Sequence, residues 1–451
     1  MSKTALLYGF LGSNVGDVAV TRGAIETIRA LGMKGPMTVV APKLNNRARD
    51  TWTKDVWRHY PYLDLVEWDF KNIPQERPVT VDDIDDIATA SLLISLKIND
   101  ADTFVYSGGE HLFSYGKSGD DWNLLLRLAP FFAAASMGKQ VRLLPSTLGP
   151  FNTPLSDVLA KRFLSLLPDI PVRDTHSLET VANLGFQGRF CLDPAFFINI
   201  SDLLSCDKQP IANLIMRLDR YGLRVGEAQS LEYAQYLVSN GYGNSRSYNI
   251  HRDVAKTLAD KGFQINVIIQ TMADEAPSLS LYRELSQEPN IRATLSKPTS
   301  IEAFIRELSK GRVTVTSRFH GAIFSLLSDR PATAIFFKDH GNKMPGLFEG
   351  LGWSHLCFDG DKKTANQIAE AAIARPGSGD LRTKLDKYRH ETIESMQPYF
   401  HRTGKALIRA GTPICRVCGC GLCDEEQSSF GFFCQEHGLE RFDFELLISQ
   451  Q

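Results

Sequence analysis

Short β-rich apolar runs alternate with stretches of helical period over about 400 residues, and this restricts the chain to parallel sheets built from strand–helix–strand units. In the first half, strands are expected at 5–10, 37–41, 103–107, 140–144 and 171–173, with helices between most of them. In the second half they are expected at 212–217, 265–271, 313–316 and 332–337. A chain of 451 residues buries more than one core. The first sheet pattern ends and the next begins between Asn199 and Gln209. This divides the chain into α/β domains at 1–203 and 204–395, followed by a C-terminal helix and Cys/His-rich tail at 396–451. The polar stretch from Asp219 to Asn249 reads as an excursion from the sheet, more readily a surface insertion than a lid or acceptor loop.

Composition removes several classes of function. Hydrophobic residues at 43% and charged residues at 23% argue for folded structure throughout most of the chain. A formal net charge of -2 supplies no global attraction to nucleic acid or to an anionic membrane. The longest apolar stretch, around Leu128 to Met137, is far shorter than the roughly 20 residues of a membrane span. The opening Met1-Ser2-Lys3, followed directly by Ala5-Leu6-Leu7-Tyr8, reads as a first strand rather than a signal peptide. A cytoplasmic protein without an integral membrane segment is expected.

Six strand ends carry candidate chemistry, because open α/β sheets bind ligands at the carboxyl ends of their strands. The first strand runs into Gly12-Ser13-Asn14-Val15-Gly16-Asp17, where glycines permit close backbone approach. Asp17 suits either a helix N-cap or a catalytic carboxylate. The loop Ser107-Gly108-Gly109-Glu110 again suits close ligand contact or a strained turn. In Pro145-Ser146-Thr147-Leu148-Gly149-Pro150-Phe151, the Ser146 and Thr147 hydroxyls can face the same cleft, although a simple turn reads identically. Arg173 and Asp174 end a short strand, and spacing alone favours an ordinary ion pair over an anion clamp. The strongest element is Thr316-Ser317-Arg318-Phe319-His320-Gly321, between a β-branched strand and an apolar helix. Unsatisfied N–H groups at a helix start, with Arg318 and His320 beside them, make a phosphate or carboxylate site. His320 is suited to hydrogen-bond the anion or to transfer a proton near neutral pH. Lys338 and Lys343 follow the next strand and either can add positive charge.

Cysteine is distributed unevenly, with five residues crowded between Cys415 and Cys434. Cys415-x2-Cys418 and Cys434-x2-His437 lie 15 residues apart, a spacing compatible with a small tetrahedral zinc site. Cys420 and Cys423 form a competing pair, and an iron–sulfur cluster is the alternative. Structural zinc that staples the tail or docks a protein partner is the favoured reading.

In this order, the pieces resemble the polysaccharide pyruvyl transferase family. The resemblance spans roughly residues 5 to 395 and rests on Gly-x-Asn-x-Gly-Asp (Gly12, Asn14, Gly16, Asp17), the Gly-Gly loop, Ser-x-x-Gly-Pro-Phe (Ser146 to Phe151), Val-Arg-Asp-x-x-Ser (Val172 to Ser177), Asp-Pro-Ala-Phe (Asp193 to Phe196), Ser-Arg-x-His (Ser317 to His320) and Lys-x-x-Gly-Leu (Lys343 to Leu347). It implies two Rossmann-like domains facing a cleft, similar to the GT-B glycosyltransferases, with the Cys-rich tail as an appendage. It also implies transfer of pyruvate from phosphoenolpyruvate to hydroxyls of a sugar or glycan precursor, as a ketal, with no cofactor for the chemistry. By position it makes Arg173, His320 and Lys343 the phosphoenolpyruvate contacts and Asp17 a candidate base near the acceptor, with Asn14, Gly16, Gly108, Gly109, Glu110, Ser146 and Arg318 around them. Glu110 stands where members of that family often have a small residue. The alternatives are a nucleotide-sugar glycosyltransferase on the same fold and a non-catalytic glycan-binding or scaffolding protein.

Overall fold

The computed structural model describes residues 2–12, 14–68, 90–117, 119–204, 209–219, 231–330, 332–374 and 378–400, with three short strands at 423–428, 431–434 and 438–441. In the first half the strands are β1 (Thr4–Leu7), β2 (Met37–Pro42), β3 (Leu63–Trp68), β4 (Thr103–Tyr106), β5 (Gly109–Ser114), β6 (Gln140–Leu143), β7 (Ser146–Phe151), β8 (Pro171–Val172) and β9 (Arg189–Phe190). They form a parallel sheet of order β3-β2-β1-β4-β6 and a second of order β5-β7-β8-β9. Since β4 leads into β5 through Ser107-Gly108, and β6 into β7 through Leu144-Pro145, the second sheet takes over where the first stops. The second half holds β10 (Gln209–Ile215), β11 (Gln264–Ile268), β12 (Ala293–Ser296), β13 (Gly311–Thr316), β14 (Ala332–Phe336) and β15 (Cys357–Asp359). These are all parallel, in the order β12-β11-β10-β13-β14-β15. The order reverses at β1 and β4 in one sheet and at β10 and β13 in the other, and a crevice opens at the carboxyl ends of such strand pairs.

Strands that read as apolar runs are the ones covered on both faces; β1, for example, is buried over its full length. The first strand stops at Leu7 rather than Phe10 because Tyr8 adopts φ 67°, a conformation a bulky residue rarely takes. Its phenol donates to the carbonyls of Leu126 (3.1 Å) and Arg127 (2.8 Å). The segments read as a Gly-Gly loop and as a Pro-broken turn are in fact strands β5 and β7, so glycine and proline mark bends between successive sheets here, not chain reversals.

The halves meet along the helix Val15–Ala30. Gly16 and Gly23, seven residues apart, lie on one face of it. A Cβ at Gly16 would overlap the His320 ring, and one at Gly23 would overlap the Pro194 carbonyl. Val18 and Ala19 join a core with Phe319, Ile323 and Phe324, and Arg22 pairs with Glu302 across the junction. Replacing Gly23 by alanine gains roughly 1 kcal/mol of helix propensity. Overpacking against a fixed backbone carbonyl costs about 3 kcal/mol, so a net loss of about 2 kcal/mol is expected. Thermal denaturation checks the sign, and a raised melting temperature contradicts the tight packing of this helix on the Pro194 backbone.

The C-terminal helix Ser378–Phe400 crosses back over both halves. Leu381 and Leu385 pack with the second half, while Met396 and Phe400 pack with β1 and the helix Val15–Ala30. The division expected at 395 therefore falls inside this helix. Part of the 219–249 excursion is helical, at Leu231–Asn240 and Tyr242–Asn244, and residues 220–230 lie outside the described residues. Of the candidate metal ligands, Cys415, Cys418 and His437 also lie outside them, while Cys434 ends the middle strand of an antiparallel three-stranded sheet at 423–441. Among the described residues, no helix is long and apolar enough to cross a membrane.

A candidate active site between the sheets

A cavity of about 170 Å³ opens at the strand carboxyl ends, lined by Asn14, Asp17, Gly109, Glu110, His111, Arg173, Arg217, Gln270, Arg318, Phe319, His320 and Lys343. Each half supplies part of it, so the site is complete only when the two are docked. A larger cavity, about 340 Å³, lies under the C-terminal helix, where aliphatic side chains alternate with Asp329, Arg382, Asp386 and Arg389, and no histidine enters it.

At the first strand end, Asn14 is the N-cap, its side-chain oxygen accepting from the Gly16 N–H at 3.0 Å. Asp17 therefore does not cap; it sits in the first helical turn and its carboxyl group lines the cavity. Removal from water pushes the Asp17 pKa up against the opposing pull of Lys343, the Asn14 hydrogen bond, Arg173 and Arg318. Gly109 takes φ 98° and lines the cavity, whereas Gly108, at φ 95°, is packed against Pro145 and Pro194 behind it. Gly16 serves the site differently from the expectation: it brings the helix backbone against the His320 ring.

Arg173 and Asp174 do not pair with each other, because neighbouring residues at a strand end point to opposite sides. Asp174 caps the helix Thr175–Asn183, accepting from the Ser177 N–H at 2.8 Å, the Ser177 hydroxyl at 2.9 Å and the Thr147 hydroxyl at 2.6 Å. Arg173, 1% exposed, donates from Nη1 to Asp193 Oδ2 (2.5 Å) and from Nε to Thr147 Oγ1 (2.9 Å). Its guanidinium lies 4.8 Å from the centre of the Phe319 ring, and the Lys343 ammonium lies 5.6 Å from it. Ser146, expected at the ligand, is fully buried and donates to the Leu144 carbonyl at 2.7 Å. It holds the β6–β7 junction and does not reach the cavity.

Arg318 is the N-cap residue of the helix Phe319–Leu327, and its guanidinium forms a two-point pair with the Asp274 carboxylate, with Nε donating at 2.8 Å. Lys343, at the start of the helix Lys343–Gly350, pairs with Glu110 across the cleft. Burial pushes the Glu110 carboxyl up, but the charge and hydrogen bond of Lys343 outweigh it and hold the group below its ordinary range. Burial lowers the Lys343 pKa, with Arg217 and Arg173 adding to the fall and Glu110 opposing it.

His320 differs from the expectation of a group titrating near neutral pH. Burial, followed in size by an opposing pull from Asp193 and further lowering by Arg173 and Lys343, brings its pKa down to about 3. The imidazole is therefore neutral at pH 7 in the unliganded site. Its Nε2 is buried, 4.0 Å from Asp193 Oδ2, and has no hydrogen-bond partner among the described residues. His111, stacked on Phe10 with ring centres 3.6 Å apart, is also pushed well below its ordinary value by burial and then by Arg127.

His111, Arg217 and Gln270 were not singled out from the sequence. Arg217 and Gln270 each follow an expected strand's apolar core, and that position at a carboxyl end is the signal that identifies them. Asp193, quoted only within its motif, is the carboxylate behind Arg173 and His320.

Two doubly wound parallel sheets whose switch points share one cation-rich pocket define an α/β protein with a polar crevice between its halves. The chain belongs to the polysaccharide pyruvyl transferase family, whose sequence profile matches residues 14–335, and it is accordingly a transferase. No curated protein matches the sequence. Among solved structures, it is similar to a putative UDP-N-acetylglucosamine 2-epimerase from Listeria monocytogenes, with 11% identity over 90% of this chain and 94% of that one and a TM-score of 0.49. It is also similar to a UDP-glucosyltransferase from Polygonum tinctorium, with 11% identity over 89% of this chain and 99% of that one and a TM-score of 0.47.

Proposed function

We propose that the chain transfers pyruvate from phosphoenolpyruvate to two hydroxyls of one sugar, forming a ketal and releasing phosphate. The observation that carries this reading is the meeting of Arg173, Arg217, Arg318, Lys343 and a His320 Nε2 without a hydrogen-bond partner among the described residues with the Asp17 carboxyl group in one small pocket. Cations supplied by both halves suit a donor bearing both phosphate and carboxylate. A carboxyl whose pKa is raised is a better base for a sugar hydroxyl. In the first step, the hydroxyl oxygen bonds to the central carbon of the enol and its proton passes to Asp17, while the methylene takes a proton from His320. The carbon–oxygen bond to phosphate then breaks, and phosphate leaves with the electron pair. The second hydroxyl closes the ketal. The second hydroxyl's proton passes to phosphate, and the first, released from Asp17, replaces the one that His320 gave to the new methyl group, so that both side chains return to their starting states.

His320 is neutral before the donor arrives, so this assignment requires proton uptake on binding. A dianionic phosphate beside the imidazole favours its charged form and raises its pKa, which makes affinity increase as pH falls. Titration calorimetry with phosphoenolpyruvate near pH 7, in buffers of different ionisation enthalpy, is expected to register net uptake, reduced in His320→Gln. Proton release or equal uptake by both proteins removes His320 from the role. In parallel, phosphoenolpyruvate at 100 times its Kd stabilises by about 2.7 kcal/mol. Stabilisation by uridine diphosphate instead supports a nucleotide-sugar glycosyltransferase.

A further inference from the structure

Arg217 enters the pocket from the end of β10, and the chain leaves the sheet two residues later at Asp219. It returns at Arg246, which meets three carboxylates: Nε to Asp219 Oδ2 at 3.1 Å, Nη2 to Asp339 Oδ2 at 2.9 Å, and Nη1 to both Asp361 oxygens at 2.8 Å. Asp219, Asp339 and Asp361 follow the carboxyl ends of β10, β14 and β15. The guanidinium also lies 5.2 Å from the centre of the Phe337 ring.

The residues between Arg217 and Asp219 are held one by one. Ser247 Oγ donates to the Arg217 carbonyl at 2.5 Å, and the Arg217 N–H donates to Ser317 Oγ at 2.7 Å, beside Arg318. The His340 Nε2 lies 2.8 Å from the Leu218 carbonyl. Asp219 Oδ1 accepts from the Ser245 hydroxyl and from the Ser247 N–H at 3.2 Å. Asp219 is fully buried. Arg246 thus closes the excursion at its root and ties three strand ends together on the side of the sheet that bears the pocket.

We propose that Arg246 is a positioning residue: by clamping the ends of β10, β14 and β15 it fixes the Arg217 backbone so that the Arg217 side chain meets the donor's anion. The proposal rests on the pocket's reading as an anion site. A lysine supplies one point charge and cannot bridge three carboxylates as the planar guanidinium does.

The test measures phosphate and phosphoenolpyruvate affinity by calorimetry, together with steady-state kinetics and melting temperature. Arg246→Lys is expected to weaken both anions about tenfold, with KM rising in step and kcat changing less than about twofold. Ser247→Ala is expected to act in the same direction by about threefold. In an Arg217→Met background, Arg246→Lys is expected to weaken binding no further. Arg252→Ala, on the same helix but paired with Asp253 at the surface, changes neither affinity. A folded Arg246→Lys protein with lowered melting temperature and unchanged phosphate affinity overturns the proposal. If wild type binds phosphate but not phosphoenolpyruvate, and Arg246→Lys weakens phosphate, the positioning stands and the donor assignment fails. Failure of wild type to bind either anion overturns both.

Discussion

Arg173→Ala is expected to destabilise the folded chain by about 3–5 kcal/mol, the cost of leaving one member of a buried ion pair alone. Arg173 is 1% exposed and Asp193 0%, so water does not replace the lost guanidinium. The substitution strips a donor from Asp193 Oδ2 and another from Thr147 Oγ1, and it removes the cation from the face of Phe319. Chemical denaturation reads the loss directly. Combining Arg173→Met with Asp193→Asn is expected to recover at least half of it, because the asparagine is neutral and still accepts from the Ala195 N–H. Donor binding is not recovered. If Arg173→Ala costs less than about 1 kcal/mol, the pair is not the buried anchor described above.

That prediction shows why sequence reasoning reached the site but misjudged some of its members. Strand ends were legible because parallel strands buried on both faces read as apolar runs, as in Ala212–Ile215 and Val313–Thr316, and their carboxyl ends mark a ligand crevice. Asp17, Arg318 and His320 followed from that rule, Arg173 and Lys343 only from the family resemblance of the motifs, and all five line one cavity. What the one-dimensional pattern does not encode is the partner across space. Arg173 pairs with Asp193 twenty residues away, not with adjacent Asp174, and Arg318 is held by Asp274. For the same reason the pattern could not reveal that His320 is desolvated between Asp193, Gly16 and two cations.

The glycines and prolines misled in a different way. A Gly-Gly pair and a Gly-Pro pair are turn signals when local chemistry decides, yet β5 and β7 run through or beside them because each pairs with a neighbouring parallel strand. Gly16 was read as room for a ligand, but that space is filled by the His320 ring. Arg246 is legible only when three strand ends are seen together; in the sequence it is one cation in a polar excursion.

The largest effect on catalysis is expected at His320. His320→Gln preserves a polar side chain and the buried packing against Gly16 and Phe324 but removes the proton that the methylene must receive. Loss of general acid catalysis lowers kcat by about 10²–10⁴-fold. Phosphoenolpyruvate affinity should change far less, since Arg173, Arg217, Arg318 and Lys343 remain. The pH profile separates this role from mere packing. In the donor complex, His320 must be charged and Asp17 ionised, so kcat falls at high pH as the imidazolium loses its proton and at low pH as Asp17 gains one. The alkaline limb belongs to His320 and should vanish in His320→Gln, whereas Asp17→Asn should remove the acid limb and lower kcat to a comparable degree. If the alkaline limb persists in His320→Gln, the acid is another group, and His111, also in the pocket and also held neutral by burial, is the next one to replace.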